Sequence, residues 1–465
     1  MKKITQHIFL VLASALLFSA CKKPLDLTSP DNIVEENAFL DIASLQRGLT
    51  GVYAQFNGTY DNDIYATTLY TDEATLPTEN NTGRGVLTYR WQVDPGSADI
   101  TGAWAAYYFA VDRANRIIAA ANNLTPKDAT EETTLNRIKG EAIALRAFGH
   151  LQLLINFSNG YDANALSIAY MEKSEISRPG RLKVSEVVAK IKTDLQTAKA
   201  LLPTSLTDRT RMTQAAIQAI QARTAVYSKN WDEAIQAATA AIAEVPLDTR
   251  TQHSLVWKDQ SNAGVIWKHR REVGQSLIGD LYYDRTQQKI MYGPSQELIS
   301  LFDQTNDIRY STTVLSRGTG RPSVGKWVGG DASNPNLADI KVFRTAEMYL
   351  IRAEAYAEKS MFNEASNDLN TLRAARITGY VNQTYASRDE LINQVITERF
   401  KELAFEGQRL GDLRRRLLPI TRNAVDATNA LGSVTLSSTD RQYYYPIPAG
   451  EILANTNMEQ NPGYK

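Results

Sequence analysis

Two stretches of this chain repeat one pattern, and that pattern restricts the fold more than any other feature. Residues 215–246 read AAIQAIQARTAVYSKNWDEAIQAATAAIAEVP, and residues 346–376 read AEMYLIRAEAYAEKSMFNEASNDLNTLRAAR. In the first, apolar residues recur at helical spacing up to Lys229-Asn230, pause for a turn and resume. Small residues Ala222, Ala234 and Ala241 fall where two antiparallel helices must approach closely. Trp231 packs at the turn, and Pro246, with no amide proton to donate, stops the second helix. In the second copy Ala353, Tyr356, Phe362 and Ala365 take the matching offsets. A helical hairpin cannot bury its apolar face alone, so such units must stack on neighbours.

The units resemble the tetratricopeptide repeat, a hairpin of about 34 residues. They are not tandem, because residues 247–344 stand between them. Other helices are legible before them. Ile42, Leu45, Leu49 and Val52 form one apolar stripe; Trp104, Tyr108, Val111 and Ile118 form another; Ile138, Ala142, Leu145, Phe148 and Leu151 form a third. A last helix opens on a capping box, Ser387 and Glu390, and continues through Ile392, Ile396, Phe400 and Leu403. The 465 residues, 43% hydrophobic and 22% charged, have ordinary globular composition. Lys+Arg and Asp+Glu are both 51, so no basic excess points to nucleic acid.

The N-terminus, MKKITQHIFLVLASALLFSACKK, has a positive start and an unbroken small-or-apolar run from Ile8 to Phe18. The run is shorter than the roughly 20 residues of a spanning helix and fits a secretion signal over residues 1–20. Ser19 and Ala20 lead into Cys21, the single cysteine, which is similar to a bacterial lipobox; Cys21 is the expected lipidation site. A lipid with two or three chains anchors a protein firmly to a membrane. The mature chain then holds no disulfide. Residues 21–40 read as an extended tether and residues 41–465 as a single domain.

Two excursions differ from the helical frame. Residues 69–96 and 247–344 are irregular and rich in Gly, Trp and Tyr, and Trp91, Trp257, Trp267 and Trp327 fall in them, outside the predicted helices. A rigid frame with aromatic loops is an arrangement suited to binding. Several motifs carry no chemistry. Gly320–Lys326, GRPSVGK, matches seven positions of a phosphate loop, but Trp327 stands where Ser or Thr would hold magnesium and no helix follows. The histidines, His7, His150, His253 and His269, share no ligand spacing, so neither a metal nor another cofactor is expected. Glu398, Glu402 and Glu406 share one helical face, and paired carboxylates are what glycoside cleavage requires. Arg399, Arg409, Arg414 and Arg415 are interleaved with Glu402, Glu406 and Asp412, so mutual pairing accounts for the stretch better than catalysis.

The tail, RQYYYPIPAGEILANTNMEQNPGYK (441–465), reads as a non-helical strap stiffened by Pro446, Pro448 and Pro462. A stiff tail loses little entropy on docking, so its tyrosines and Ile447 are expected to close an apolar end of the helical array.

Four blocks, GPSQELISLFDQTNDIR (293–309), RTAEMYLIRAEAYAE (344–358), ERFKELAFEGQRLGDLRRR (398–416) and PIPAGEILANTNMEQNPGY (446–464), resemble the SusD/RagB family in order and wording, and GEAIALRAFGHLQLLINF (140–157) is similar to the family's early helix. FSNGYDANALSIAYM (157–171) departs from the family by lacking a proline, which marks a divergent subgroup. The resemblance implies an all-α fold with four tetratricopeptide-like helix pairs supporting a more irregular ligand face. It implies a nutrient-binding lipoprotein of the outer membrane, facing the cell exterior and acting as a lid on a TonB-dependent transporter of the SusC type. The ligand would be an oligosaccharide or, in some members, a peptide.

Sugar rings stack on Trp and Tyr, while amides and Arg bond their hydroxyls. The candidates are Asn80, Asn81, Arg84 and Trp91 in the first excursion and Trp267, Tyr282, Tyr283 and Trp327 in the second. Trp104 and Trp231, on helical faces, belong to the core. Two other readings remain: a lipid-anchored glycoside hydrolase using paired carboxylates, and a scaffold that binds only protein.

Overall fold

The computed structural model describes residues 38–318 and 320–464. The signal at 1–20, Cys21 and most of the 21–40 tether lie outside the described residues.

The first half is helical. α1 (Ile42–Tyr70) is followed by β1 (Ala74–Thr75), α2 (Val86–Tyr89), α3 (Ala98–Asn123), α4 (Ala129–Phe157), α5 (Val184–Leu201), α6 (Gln214–Tyr227), α7 (Trp231–Glu244) and α8 (Arg250–Trp257). The middle is mixed: β2 (Val265–His269), α9 (Gly279–Tyr282), β3 (Tyr283–Asp284), β4 (Lys289–Ile290), β5 (Gly293–Pro294), α10 (Gln296–Ser300), α11 (Ile308–Thr313), β6 (Val314–Arg317), β7 (Arg321–Val324) and β8 (Ile340–Arg344). The last part holds α12 (Thr345–Glu358), α13 (Phe362–Ala374), α14 (Arg388–Glu402), α15 (Arg409–Arg415), β9 (Ile420–Thr421), β10 (Thr435–Leu436) and α16 (Ala449–Ala454).

Four hairpins stack in chain order: α1/α3, α4/α5, α6/α7 and α12/α13. α1 starts where Asp41 caps the amide of Ser44, and its stripe of Leu45, Leu49 and Val52 is buried. The α6/α7 and α12/α13 turns share one geometry. Lys229 and Ser360, each two residues before the second helix starts, both adopt positive φ. Ala222, Ala234, Ala241, Ala353 and Ala365 are all fully buried, which is what lets these backbones approach. The Ser387 hydroxyl accepts the Glu390 amide at 3.3 Å and starts α14. Trp104 is core, whereas Trp231 is half-buried against it.

The excursions are less irregular than the sequence indicated. β2 and β8 pair antiparallel across a bulge, and Trp267 lies opposite Phe343. Both strands face the helical core, with Val265, Ile266, Ile340 and Phe343 fully buried. Their partners lie far apart in sequence, so short apolar runs gave no periodicity to read. β1 pairs with β5, joining the first excursion to the second. β3 and β4 form one short hairpin, and β6 and β7 another.

The tail is a strap, but not wholly non-helical. Pro448 stands at the N-cap of α16, where a missing amide proton costs nothing, so one short helix follows it. Tyr443, Tyr445 and Ile447 are buried. The ring of Tyr445 packs on Tyr70 at 5.1 Å and on Phe157 at 6.2 Å, the last residues of α1 and α4. The Asn461 amide donates to the carbonyls of Phe157 at 3.0 Å and Tyr445 at 2.6 Å.

Candidate ligand-binding site

The first excursion is pinned from below. Arg422, fully buried, donates to the carbonyls of Leu69, Thr71 and Tyr89 at 2.7 to 3.1 Å. Its guanidinium lies 4.0 Å from the Tyr89 ring and 4.3 Å from the Trp91 ring. Trp91 donates its indole proton to the Tyr70 carbonyl at 2.9 Å. Gly85 then carries the loop across α1. It adopts a φ of +69°, and a Cβ there would stand 2.5 Å from Leu69 and 2.8 Å from the Tyr65 hydroxyl. Only glycine allows that approach without displacing its neighbours.

The loop so held meets the second excursion side by side. The Tyr292 hydroxyl donates to the Arg84 carbonyl at 2.9 Å. The Asn80 amide donates to the Met291 carbonyl at 3.0 Å, and Lys289 donates to the Asn81 side chain at 3.3 Å. Glu79 pairs with Arg321 on β7. The Arg317 guanidinium on β6 lies over the Tyr283 ring, 3.7 Å from its centroid, and its Nε donates to Ser323 at 3.0 Å. Asn81 and Arg84 are exposed, and Asn80 and Tyr283 are half-buried. Below Arg84 a groove of about 310 Å3 runs between α1 and α3, lined by Thr59, Asn62, Tyr65 and Asp99 and by small residues of α3. The Arg84 guanidinium makes no hydrogen bond or ion pair among the described residues. The result is an open polar surface with one ring, several amides and positive charge, and it can meet the hydroxyls and carbonyls of an extended ligand.

The other four candidates are core. Trp267 is fully buried, 4.8 Å from the Phe148 ring. Trp327 packs edge-on against Trp257 at 5.6 Å. Tyr282 lies between Tyr65 at 5.5 Å and Phe405 at 5.7 Å. Trp91, with its indole tied to Tyr70, is 6% exposed. Rings this deeply buried leave little face for a sugar to stack on, so Trp91, Trp267, Tyr282 and Trp327 hold the excursions to the frame instead. Sequence reasoning missed Lys289, Arg317 and Arg321. Short apolar segments around Gly318 and Gly320 were the available sign of the hairpin that carries the two arginines.

The paired carboxylates are locked. Glu402 accepts from Arg344 at 2.7 Å and from Arg376 at 3.1 Å. Glu398 pairs with Arg309 at 2.5 Å and Arg373 at 2.6 Å, and Glu406 with Arg344 at 2.7 Å and Lys326 at 2.6 Å. Burial pushes the Glu398 carboxyl up, but Arg309, Lys401 and Arg373 outweigh it and hold it at about 2. A general acid in glycoside cleavage needs the opposite displacement and access to substrate. The expected pairing within 398–416 holds for Asp412, with Arg399 at 2.7 Å and Arg415 at 2.9 Å. The three glutamates instead take cations from other segments, which the packing of α14 against them supplies. Lys326 of the glycine-rich motif is bound to Glu406 and the Glu402 carbonyl, so it is not free to meet a phosphate. No cluster of His, Cys, Asp or Glu among the described residues is arranged to hold a metal.

Known proteins share this architecture. The profile of the SusD family matches residues 322–464, and a profile described as starch-binding, associating with the outer membrane, matches residues 25–226. SusD-like protein P2 of Formosa agariphila is 25% identical, over 95% of this chain and 96% of its own length. Starch-binding protein SusD of Bacteroides thetaiotaomicron is 32% identical over 34% of this chain and 28% of its own length. A SusD superfamily structure from Bacteroides thetaiotaomicron superposes with a TM-score of 0.81 at 22% identity, covering 91% of this chain and 100% of its own. A SusD-like carbohydrate-binding protein from Bacteroides vulgatus gives 0.77 at 21% identity, covering 90% and 97%. At such identity the likeness concerns the fold.

Proposed function

This chain belongs to the SusD/RagB family, and from that premise we propose that it captures oligosaccharides, or peptides, at the outer membrane without cleaving them. Cys21 carries the lipid that holds it there, on the outer face. It passes its cargo to a TonB-dependent transporter of the SusC type. The observation that supports this reading is the meeting of loop 77–85 with the β3–β4 and β6–β7 hairpins, which leaves Arg84, Asn81 and Tyr283 at an open surface beside a groove. The starch-binding and carbohydrate-binding relatives favour a saccharide over a peptide.

Titration of the purified protein with a panel of neutral oligosaccharides, beginning with maltoheptaose, tests it. At least one member is expected to bind. Arg84→Ala and Tyr283→Ala, both at the surface, are expected to weaken that binding about tenfold each, the worth of one charge-assisted bond or one stacked ring. Wild-type affinity in both variants would contradict the site. New reducing ends after incubation would contradict capture without cleavage.

A further inference from the structure

The second excursion holds another cleft, which shares no lining residue with the surface just described. It measures about 550 Å3 and opens between the loop around Arg209, the end of α8, the residues that follow β2 and the turn at Gly330. Its floor contains Arg271, whose side chain is 1% exposed. That guanidinium pairs with Asp61 and donates to the Asn57 carbonyl at 2.8 Å. Its Nε has no hydrogen-bond partner among the described residues, although a buried donor is costly to leave unpaired.

Above it stand Arg209, Lys258 and Arg270, on three separate segments, and none of the three makes an ion pair among the described residues. The carboxylates of the cleft are differently placed, because each is already engaged. Asp339 takes Lys268 at 2.7 Å, and Asp259 takes Lys341 at 2.6 Å. Asp208 accepts the Thr210 amide and Asp331 the Ser333 amide, both at 2.8 Å. Asp208 and Asp331 keep their charge, but the lining cations outnumber the carboxylates five to four, and Arg209, Lys258 and Arg270 are the cations left for a ligand in a concave cleft. A donation from the Lys268 amide to the Arg209 carbonyl at 2.8 Å fixes the spacing of one side.

We propose that this cleft is a second binding site, and that its ligand is an acidic sugar carrying a carboxylate or sulfate group. Arg209, Lys258 and Arg270 meet the anionic oxygens, and Gln260 and Asn262 meet hydroxyls. That the anion rides on a sugar rests on the proposed function; that an anion is bound does not.

Calorimetric titration at low ionic strength tests it, with digalacturonic acid, its neutral counterpart digalactose, and sodium sulfate as probes. Digalacturonic acid is expected to bind the wild type at least tenfold more tightly than digalactose does. The double variant Arg209→Gln with Arg270→Gln, changed only on the rim, is expected to keep its melting temperature and bind about tenfold more weakly or worse. Equal binding by that variant, or no binding by the wild type, overturns the proposal. Sulfate bound as tightly as the acidic disaccharide, with the same loss, overturns its sugar part. If Arg84→Ala leaves all neutral binding intact while the rim variant still loses the acidic disaccharide, the first site falls and the cleft stands.

Discussion

At the scale of single residues, buried charge decides most. Glu402 is fully buried and serves Arg344, Arg376 and Arg309 at once, with contacts of 2.7, 3.1 and 3.3 Å. Arg376 also holds Asp248 at 2.8 Å, and Asp248 holds His253 at 3.0 Å. Burial depresses His253 to about 4, with Arg376 adding to the effect, so this histidine is neutral and meets Asp248 through a hydrogen bond rather than as a further cation. Removing one member of such a network strands the others without countercharge. Glu402→Gln is expected to cost about 3–5 kcal/mol, measured by denaturant unfolding. A loss below about 1 kcal/mol would mean that water or a neighbouring carboxylate already screens these arginines. The 398–416 stretch announced its own charges in sequence. It did not announce Arg309, Arg344 or Arg376, because each lies on a separate element brought in by the fold. The same blindness governs the tryptophans. Sequence shows a large ring in a glycine-rich segment, but not whether the ring faces water or pins the segment down.

At the scale of elements, the hairpins were the legible part. Alanines at helical spacing, a turn and a helix stop are local signals, and local signals survive into the fold. The four-helix-pair stack follows because each hairpin leaves one face uncovered. The strands were not legible, since β2 and β8 are five residues each and find each other across the whole second excursion. The tail belongs between these cases. Its prolines forecast a stiff strap, but its docking place on the ends of α1 and α4 depends on rings far away in sequence. Tyr445 is the centre of that contact, with the Arg414 guanidinium 4.3 Å from its ring. Tyr445→Ala is expected to cost about 3–5 kcal/mol and lower the melting temperature accordingly. An unchanged melting temperature would show that the strap merely lies on the surface.

At the scale of the whole molecule, the helical stack is a frame and the two excursions form the face where we propose ligand is held. β1 pairs with β5, and Arg422 and the buried aromatics tie both excursions down, so the polar groups on their outer side are held at fixed spacing. Such fixing lowers the ordering cost of binding. The family blocks made this frame readable from sequence. Of the candidate residues, polar ones such as Asn81 and Arg84 stay exposed, while Trp91, Trp267, Tyr282 and Trp327 are drawn inward, a difference the sequence does not show. The central claim is that ligand is gripped on this face and left whole. Hydrogen–deuterium exchange with and without a saturating oligosaccharide from the binding panel tests it most directly. The account predicts slowed exchange in residues 77–85, 283–292 and 314–324 and an unchanged ligand mass afterwards; protection confined to the helical hairpins, or a shortened ligand, would contradict it.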